Sequence, residues 1–265
     1  MEPSEPKHAP DPMIELLDLH KSYGGDRVLD GVDLVVPEGT TTVLLGSSGS
    51  GKTVLLKHII GLLRPDRGTV RVDGEDVGSL DFEGLTRMRL KLGIVFQAGA
   101  LFDSLTVFEN VAFPLREHLH LPEPEVAKRV RRTLELVDLG GVEQSFPAEL
   151  SGGMRKRVAF ARAIVHEPRL LLCDEPTAGL DPITTTYVAD AIGIARRELG
   201  ITSLVITSDL RVAFWLADEL ALLHQGKIVS HGTPEAFSRS RDPAVRNFIH
   251  DYLAQVAAEH PPAPA

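Results

Sequence analysis

Gly46-Ser47-Ser48-Gly49-Ser50-Gly51-Lys52-Thr53 has the residue types and spacing of a loop that grips phosphate. The glycines let the backbone turn tightly, so successive N–H groups point inward at an anion. A helix beginning at the end of the loop adds the positive end of its dipole. Lys52 has the reach for β- and γ-phosphates, and the Thr53 hydroxyl can bind a magnesium ion. The flanks agree with this chemistry. Strand-forming Thr41, Thr42, Val43, Leu44 and Leu45 precede the loop, and apolar Leu55, Leu56, Ile59, Ile60 and Leu63 follow at helical spacing.

Two further stretches belong with it. An apolar run, Leu170-Leu171-Leu172-Cys173, ends in Asp174 and Glu175. Two carboxylates at a buried strand tip are costly unless positive charge compensates them. Magnesium supplies that charge if Asp174 holds the ion and Glu175 polarises an attacking water. In Leu150-Ser151-Gly152-Gly153-Met154, Ser151 is a good helix N-cap, and the glycines bare N–H groups at the helix's positive end. That makes a second anion site. Two phosphate-binding elements in one chain suggest a nucleotide clamped between two copies.

These residues need a scaffold. The sequence predicts short strands over residues 14–19, 32–36 and 69–72, each bounded by turn signals, with the phosphate loop among them. Residues 92–96 read as a buried strand ending at Gln97, and residues 106–119, 123–139 and a segment from Ser151 as helices. Strand, helix and strand then alternate over 170–174, 183–199 and 201–207, the pattern of parallel strands joined by helices. A hairpin over 220–224 and 227–231 turns at Gln225-Gly226. The expected fold class is α/β: an α/β core with a β-rich flank and a helical insertion.

Bulk properties narrow the classes. At 265 residues there is room for one large domain or two lobes sharing a core. A net charge of −9 argues against a dedicated nucleic-acid binder, which needs a basic surface. The single Cys173 excludes an intramolecular disulfide framework, and its leucine neighbours make it a small buried hydrophobe. No apolar run approaches the roughly 18 residues that span a bilayer. Residues 1–12, rich in proline and charge, are expected to form a disordered leader, and the Pro-rich end of the chain a disordered terminus.

With its motifs in this order, the chain resembles the nucleotide-binding subunit of an ATP-binding cassette transporter over residues 13–235. The resemblance implies a P-loop NTPase (RecA-like) core with an antiparallel β subdomain and a helical subdomain, ATP and Mg2+ as cofactors, and a head-to-tail homodimer. Each ATP would lie between one copy's phosphate loop and the other's Ser151, Gly152 and Gly153. By the same implication Tyr23 stacks on adenine, and Gln97 touches magnesium and the attacking water. Asp181, in Ala178-Gly179-Leu180-Asp181, joins a loop that spans the dimer. The implied domain is residues 13–240, with a helical subdomain over about 98–165 and a helical tail over 241–265. Residues 102–111 are expected to dock a permease or to pack the helical lobe, and the tail to pack on its own body or on the dimer mate.

One residue departs from the family pattern. After the strand 204–207 the family usually carries a histidine that bonds the γ-phosphate, whereas this chain has Ser208 followed by Asp209. A serine hydroxyl is shorter than imidazole and cannot become cationic. The expectation is ATP binding with slowed hydrolysis, unless a water or a neighbouring residue substitutes. Several details resemble the ATPases that serve lipid transport with MCE-domain proteins, the Mla type. They are Met154 followed by Arg155-Lys156-Arg157, the stretch Gly99 to Asn110, Pro182-Ile183-Thr184-Thr185-Thr186, and Asp242 to Phe248. This implies transport of phospholipid or a related lipid with a transmembrane permease and an MCE-domain protein. The chain would then sit peripherally at the cytoplasmic face of the inner membrane. An ATPase of another transporter and an ATP-gated switch with little catalysis stay open as alternatives.

Overall fold

A sheet buried on both faces carries mostly apolar residues along its strands, and residues 41–45, 92–95, 170–174 and 202–207 are buried at nearly every position, Thr41, Thr42, Thr202, Ser203 and Thr207 included. The computed structural model describes residues 12–97 and 99–259. In it β1 (Pro12–Tyr23) and β2 (Asp26–Pro37) form a long antiparallel pair. Then come β3 (Thr41–Leu45), α1 (Lys52–Ile59), β4 (Arg67–Val72) and the two-residue β5 (Glu75–Asp76). Next are α2 (Phe82–Leu90), β6 (Leu92–Val95), α3 (Val107–Pro114), α4 (Glu123–Leu136) and α5 (Gly152–Ile164). The remainder is β7 (Leu170–Asp174), α6 (Pro182–Leu199), β8 (Thr202–Thr207), α7 (Leu210–Leu216), β9 (Glu219–His224), β10 (Lys227–Gly232), α8 (Pro234–Ser238) and α9 (Pro243–Glu259).

The strands form two sheets. One is antiparallel, in the order β2-β1-β4-β5. The other runs β10-β9-β3-β8-β7-β6, parallel throughout except for the β9–β10 hairpin. Alternate residues of its strands enter different cores, as the period of two requires. Val43, Leu45, Leu171, Cys173 and Val205 face the core shared with α3, α4, α5 and α6. Leu44, Leu170, Leu172, Leu204 and Ile206 face the core shared with α1 and the antiparallel sheet. The carboxyl ends of β3, β8, β7 and β6 therefore lie side by side, where open α/β sheets bind ligands.

The structure corrects several boundaries. The first strands run longer than the predicted 14–19 and 32–36, because the antiparallel pair continues with local register shifts past Leu16 and Leu19. The helix predicted over 106–119 ends at Pro114, which lacks the N–H a continuing helix needs, and a single π turn covers Leu115–Leu119. The helix predicted to reach 139 stops at Leu136. Helices α2 and α7 carry no counterpart in the sequence reading. Pro12, assigned to the leader, starts β1. The remainder of the leader and the Pro-rich terminus lie outside the described residues. Cys173 is fully buried, and burial pushes its thiol pKa up, as expected of a packing residue.

The stretch before α3 owes its shape to one side chain. Thr106 and Glu109 form a capping box at the start of α3. One turn on, fully buried Asn110 donates from Nδ2 towards the carbonyls of Phe102, Leu105 and Thr106, each at 3.0 Å. Its Oδ1 accepts the Phe102 N–H at 2.9 Å. Phe102 is thereby held partly exposed, its ring tilted at 48° against Phe113 with centres 4.9 Å apart. Val107 and Val111 instead pack the core. Asn110→Ala strands these backbone groups, and the expected cost is about 3 kcal/mol of stability. Urea unfolding checks it: an unchanged midpoint would show that the amide supports nothing.

Candidate functional site

A cleft of about 430 Å³ opens at the carboxyl ends of the parallel strands. The loop after β3 forms one wall with Ser48, Gly49, Ser50, Gly51, Lys52 and Thr53. Opposite stand Gln97 beyond β6, Asp174 and Glu175 at the end of β7, and Ser208 beyond β8. Gly51 has φ +105°, a left-handed conformation, and a Cβ there would press to 3.0 Å from the Val28 carbonyl oxygen. Only glycine meets both demands without strain. Gly51 is also the N-cap of α1, with no side-chain cap and no acidic residue in the first turn. The helix start thus leaves its N–H groups available to an anion.

Lys52 is 8% exposed, and its ammonium donates to the carbonyls of Gly46 at 2.6 Å and Ser47 at 3.0 Å. Burial pulls its pKa down, while the Glu175 and Asp174 carboxylates oppose that shift. Across the cleft, Thr53 Oγ1 donates to Asp174 Oδ2 at 3.3 Å. Burial raises the pKa of Asp174, and the Thr53 hydrogen bond and Lys52 offset part of it. Thr53, Asp174 and Gln97 together offer hydroxyl, carboxylate and amide oxygens, a set suited to a hard cation that also holds phosphate and water. The half-buried Asp174 carboxylate has a hydroxyl as its near neighbour in place of a paired cation, which fits that reading.

Glu175 takes a left-handed backbone, φ +47°, uncommon for a residue with a side chain. Its N–H donates to the Ile206 carbonyl at 2.8 Å, and its own carbonyl accepts from Ala178 N–H at 3.2 Å. Its carboxylate Oε2 accepts a long hydrogen bond, 3.4 Å, from the backbone N–H of Ser208. The strand β7 and the turn after β8 therefore both hold this one acid. Ser208 is exposed at the cleft wall.

The remaining residues singled out in the sequence do not join this cleft. Ser151 caps α5, its hydroxyl accepting the Met154 N–H at 3.2 Å, and both Ser151 and Gly152 are exposed away from the lining. Gly153 is buried against α6. Asp181 caps α6, accepting from the Thr184 N–H at 3.0 Å and the Thr184 hydroxyl at 2.5 Å. Tyr23 is 46% exposed at the end of β1, with Lys21 Nζ 5.6 Å from its ring centre. It too lies outside the lining of the cleft.

Two contributors escaped the sequence reading. Lys156 of α5 donates to the Ala178 carbonyl at 2.5 Å, beside Glu175. Tyr252 of α9 donates to Asp209 Oδ1 at 2.7 Å and accepts from Arg211 Nε at 3.1 Å. Asp209 also caps α7 through the Arg211 N–H, so the tail helix grips the residue next to Ser208. A charge after a capped helix start was the available signal for Lys156. Nothing local marks Tyr252, whose partner is 43 residues away. The tail packs on its own body in this chain: Val245 is fully buried and Phe248, Ile249 and Tyr252 are packed against the core, while Leu253 is exposed.

Comparison with known proteins agrees with this geometry. The profile of the ABC transporter family matches residues 29–178. A probable ribonucleotide transport ATP-binding protein, mkl, of Mycobacterium leprae is 43% identical over 237 residues, covering 89% of this chain and 68% of that protein. The chain spans about two thirds of the length of such mycobacterial relatives. The intermembrane phospholipid transport system ATP-binding protein MlaF of Escherichia coli K12 is 40% identical over 237 residues, covering 89% of this chain and 88% of that one. Among solved structures, cbiO1 from Clostridium perfringens, part of an ABC transporter complex, superposes with a TM-score of 0.80 at 29% identity, over 95% and 96% of the two chains. An ATP-binding cassette solved as a dimer, in a post-hydrolysis state with ADP and Pi, gives 0.76 at 33% identity, over 83% and 98%.

Tyr252→Phe removes the hydroxyl shared by Asp209 and Arg211 and is expected to lower stability by about 1–2 kcal/mol. Limited proteolysis should then cut α9 faster than in the wild type. Equal cleavage rates would contradict the clasp.

Proposed function

The chain belongs to the ABC transporter family, and from that membership we propose that it drives phospholipid transport, two copies closing on two ATP molecules. It is an ATPase of the cassette type. Support for hydrolysis rests on one observation above others: the Lys52 loop, Asp174 and Glu175 share a single cleft with Gln97 and Ser208.

In this reading the backbone N–H groups of Ser48 to Thr53, with Gly46 and Ser47 shaping the turn, cradle the phosphates. Lys52 exchanges its two carbonyl partners for β- and γ-oxygens. Thr53, Asp174 and Gln97 would hold magnesium, which would supply positive charge beside the phosphates. Glu175 accepts the proton of a water lined up on the γ-phosphorus by Gln97. As the water's oxygen bonds to phosphorus, the bond to the β-bridging oxygen breaks and ADP leaves with that electron pair. Tyr23 receives adenine. Ser151, Gly152 and Gly153 of the second copy cap the γ-phosphate, and Asp181 lies along the seam between copies. A cassette dimer among the solved relatives supports that second copy.

The lipid assignment draws on MlaF relatives matched over most of both chains, at 40% and 41% identity. It also draws on the Met154 and Gly99–Asn110 details of the sequence. No described helix is long and apolar enough to cross a membrane, so a separate permease would carry the substrate path. The paired, partly exposed rings of Phe102 and Phe113 offer that permease an apolar grip. An MCE-domain protein completes the assembly. The mkl relative's name favours a second reading, in which a ribonucleotide is the cargo. Purification from native membrane with identification of the bound permease, MCE protein and lipid separates the two. Co-purification of a ribonucleotide permease without lipid would sink the first.

Two substitutions test the chemistry. Glu175→Gln should cut ATP turnover about a thousandfold and trap an ATP-bound dimer visible by size-exclusion chromatography. Turnover equal to the wild type would favour a nucleotide-gated switch. Ser208→His adds a cationic donor toward the γ-phosphate and should raise kcat by about tenfold or more. No gain would mean that hydrolysis is not limited at this residue.

A further inference from the structure

The start of α5 and the loop leading from Glu175 into α6 are joined by three contacts within one chain. Lys156 donates to the Ala178 carbonyl at 2.5 Å, and Ala178 in turn closes the Glu175 turn through its N–H. Gly153 lies so close to α6 that a Cβ would collide with the Thr184 methyl, and Thr184 is hydrogen-bonded to Asp181 through both its N–H and its hydroxyl. The Arg157 guanidinium lies 5.1 Å over the ring of Tyr187, one α6 turn further on. Helices α5 and α6 pack together behind these contacts, with Val158, Ala161 and Ile192 buried in one core.

Glu175 needs such support. Its left-handed backbone is held on one side by the Ile206 carbonyl and on the other by the turn ending at Ala178. The Ala178 carbonyl faces a cation from α5, and burial pulls that ammonium's pKa down while Glu175 opposes the shift. We propose that Lys156 is a positioning residue for hydrolysis, pinning the turn that carries Glu175 to the helix whose first residues face the second copy's nucleotide. Grip on one nucleotide is thereby transmitted, through α5, to the acid that works on the other. The direct positioning of Glu175 stands on this chain alone; transmission between sites rests on the two-copy reading above.

Kinetics of the full-length ATPase test it. Lys156→Met keeps the stem and removes the donor, and Lys156 is only half-buried, so the melting temperature should stay unchanged. A displaced acid is expected to lower kcat about tenfold or more with KM for ATP unchanged. Lys156→Arg, which keeps a cationic donor, should recover most of that loss. Wild-type kcat in Lys156→Met overturns the proposal. So does a fall in kcat matched by a rise in KM and a lower melting temperature, or one that Arg does not recover. Should the Met variant fail to fold, hydrogen exchange of residues 175–178 in Lys156→Gln decides instead. Faster exchange than wild type supports the tether, and equal exchange removes it. ATP-driven dimerisation of Glu175→Gln, with and without Lys156→Met, tells the two ideas apart. Loss of the dimer in Glu175→Gln alone defeats the two-copy reading but not the direct tether.

Discussion

A buried cation that must be satisfied before any ligand arrives governs this site. Lys52 is almost fully enclosed, and an enclosed ammonium without partners would lose its proton or unfold the loop. The Gly46 and Ser47 carbonyls meet that need at 2.6 and 3.0 Å, and the carboxylates of Asp174 and Glu175 add attraction across the cleft. Phosphate oxygens can take over the same hydrogen bonds and bring more negative charge. Everything that shapes the cleft serves this exchange, from the left-handed Gly51 to the uncapped start of α1.

The geometry also explains why four strand ends suffice. Parallel order puts β3, β8, β7 and β6 side by side, so their following turns deliver a cation, an N–H, two acids and an amide to one place. No long loop is needed to reach across the cleft. The entropy of ordering catalytic groups is met by the buried sheet instead. The α5 start, in contrast, emerges from a different part of the body and leaves Ser151 and Gly152 open. One chain thus presents a cleft walled on one side by the loop before α1, and a second glycine-bearing helix start directed elsewhere.

Local chemistry was legible in the sequence wherever it repeats at short range. Runs of strand-forming residues marked β3, β7 and β8, and the Ser151 cap marked the start of α5. The break at Pro114 was written in the sequence as well, but helical periodicity through Leu119 outweighed it. Helix α7 was missed because its seven residues are nearly all apolar and give no period to read. Partnerships across the fold were beyond reach. Asn110 looks like any polar helix residue until the preceding loop folds back onto it. Lys156 and Tyr252 meet partners 22 and 43 residues away, set by packing and not by spacing.

The serine that departs from the family pattern can be weighed against this background. Its contribution to Glu175 in the present geometry comes from the backbone N–H, a donor that any residue at position 208 would supply. The identity of the side chain therefore bears on the phosphate and leaves the holding of the acid untouched. The backbone's placement is secured from behind: Asp209 N–H donates to Thr207 Oγ1, Asp209 caps α7, and Tyr252 with Arg211 fixes the Asp209 carboxylate. Burial pushes the Asp209 pKa up, but hydrogen bonds from Tyr252 and Arg211 outweigh it and hold the pKa below the usual carboxylate range, which keeps that carboxylate charged and the clasp closed at neutral pH. In the proposed reading, a shorter hydroxyl in front of this turn would leave Glu175 in register while offering the γ-phosphate no cationic donor. Nucleotide binding and catalytic rate would then rest on separate groups, so the first could be retained when the second is reduced.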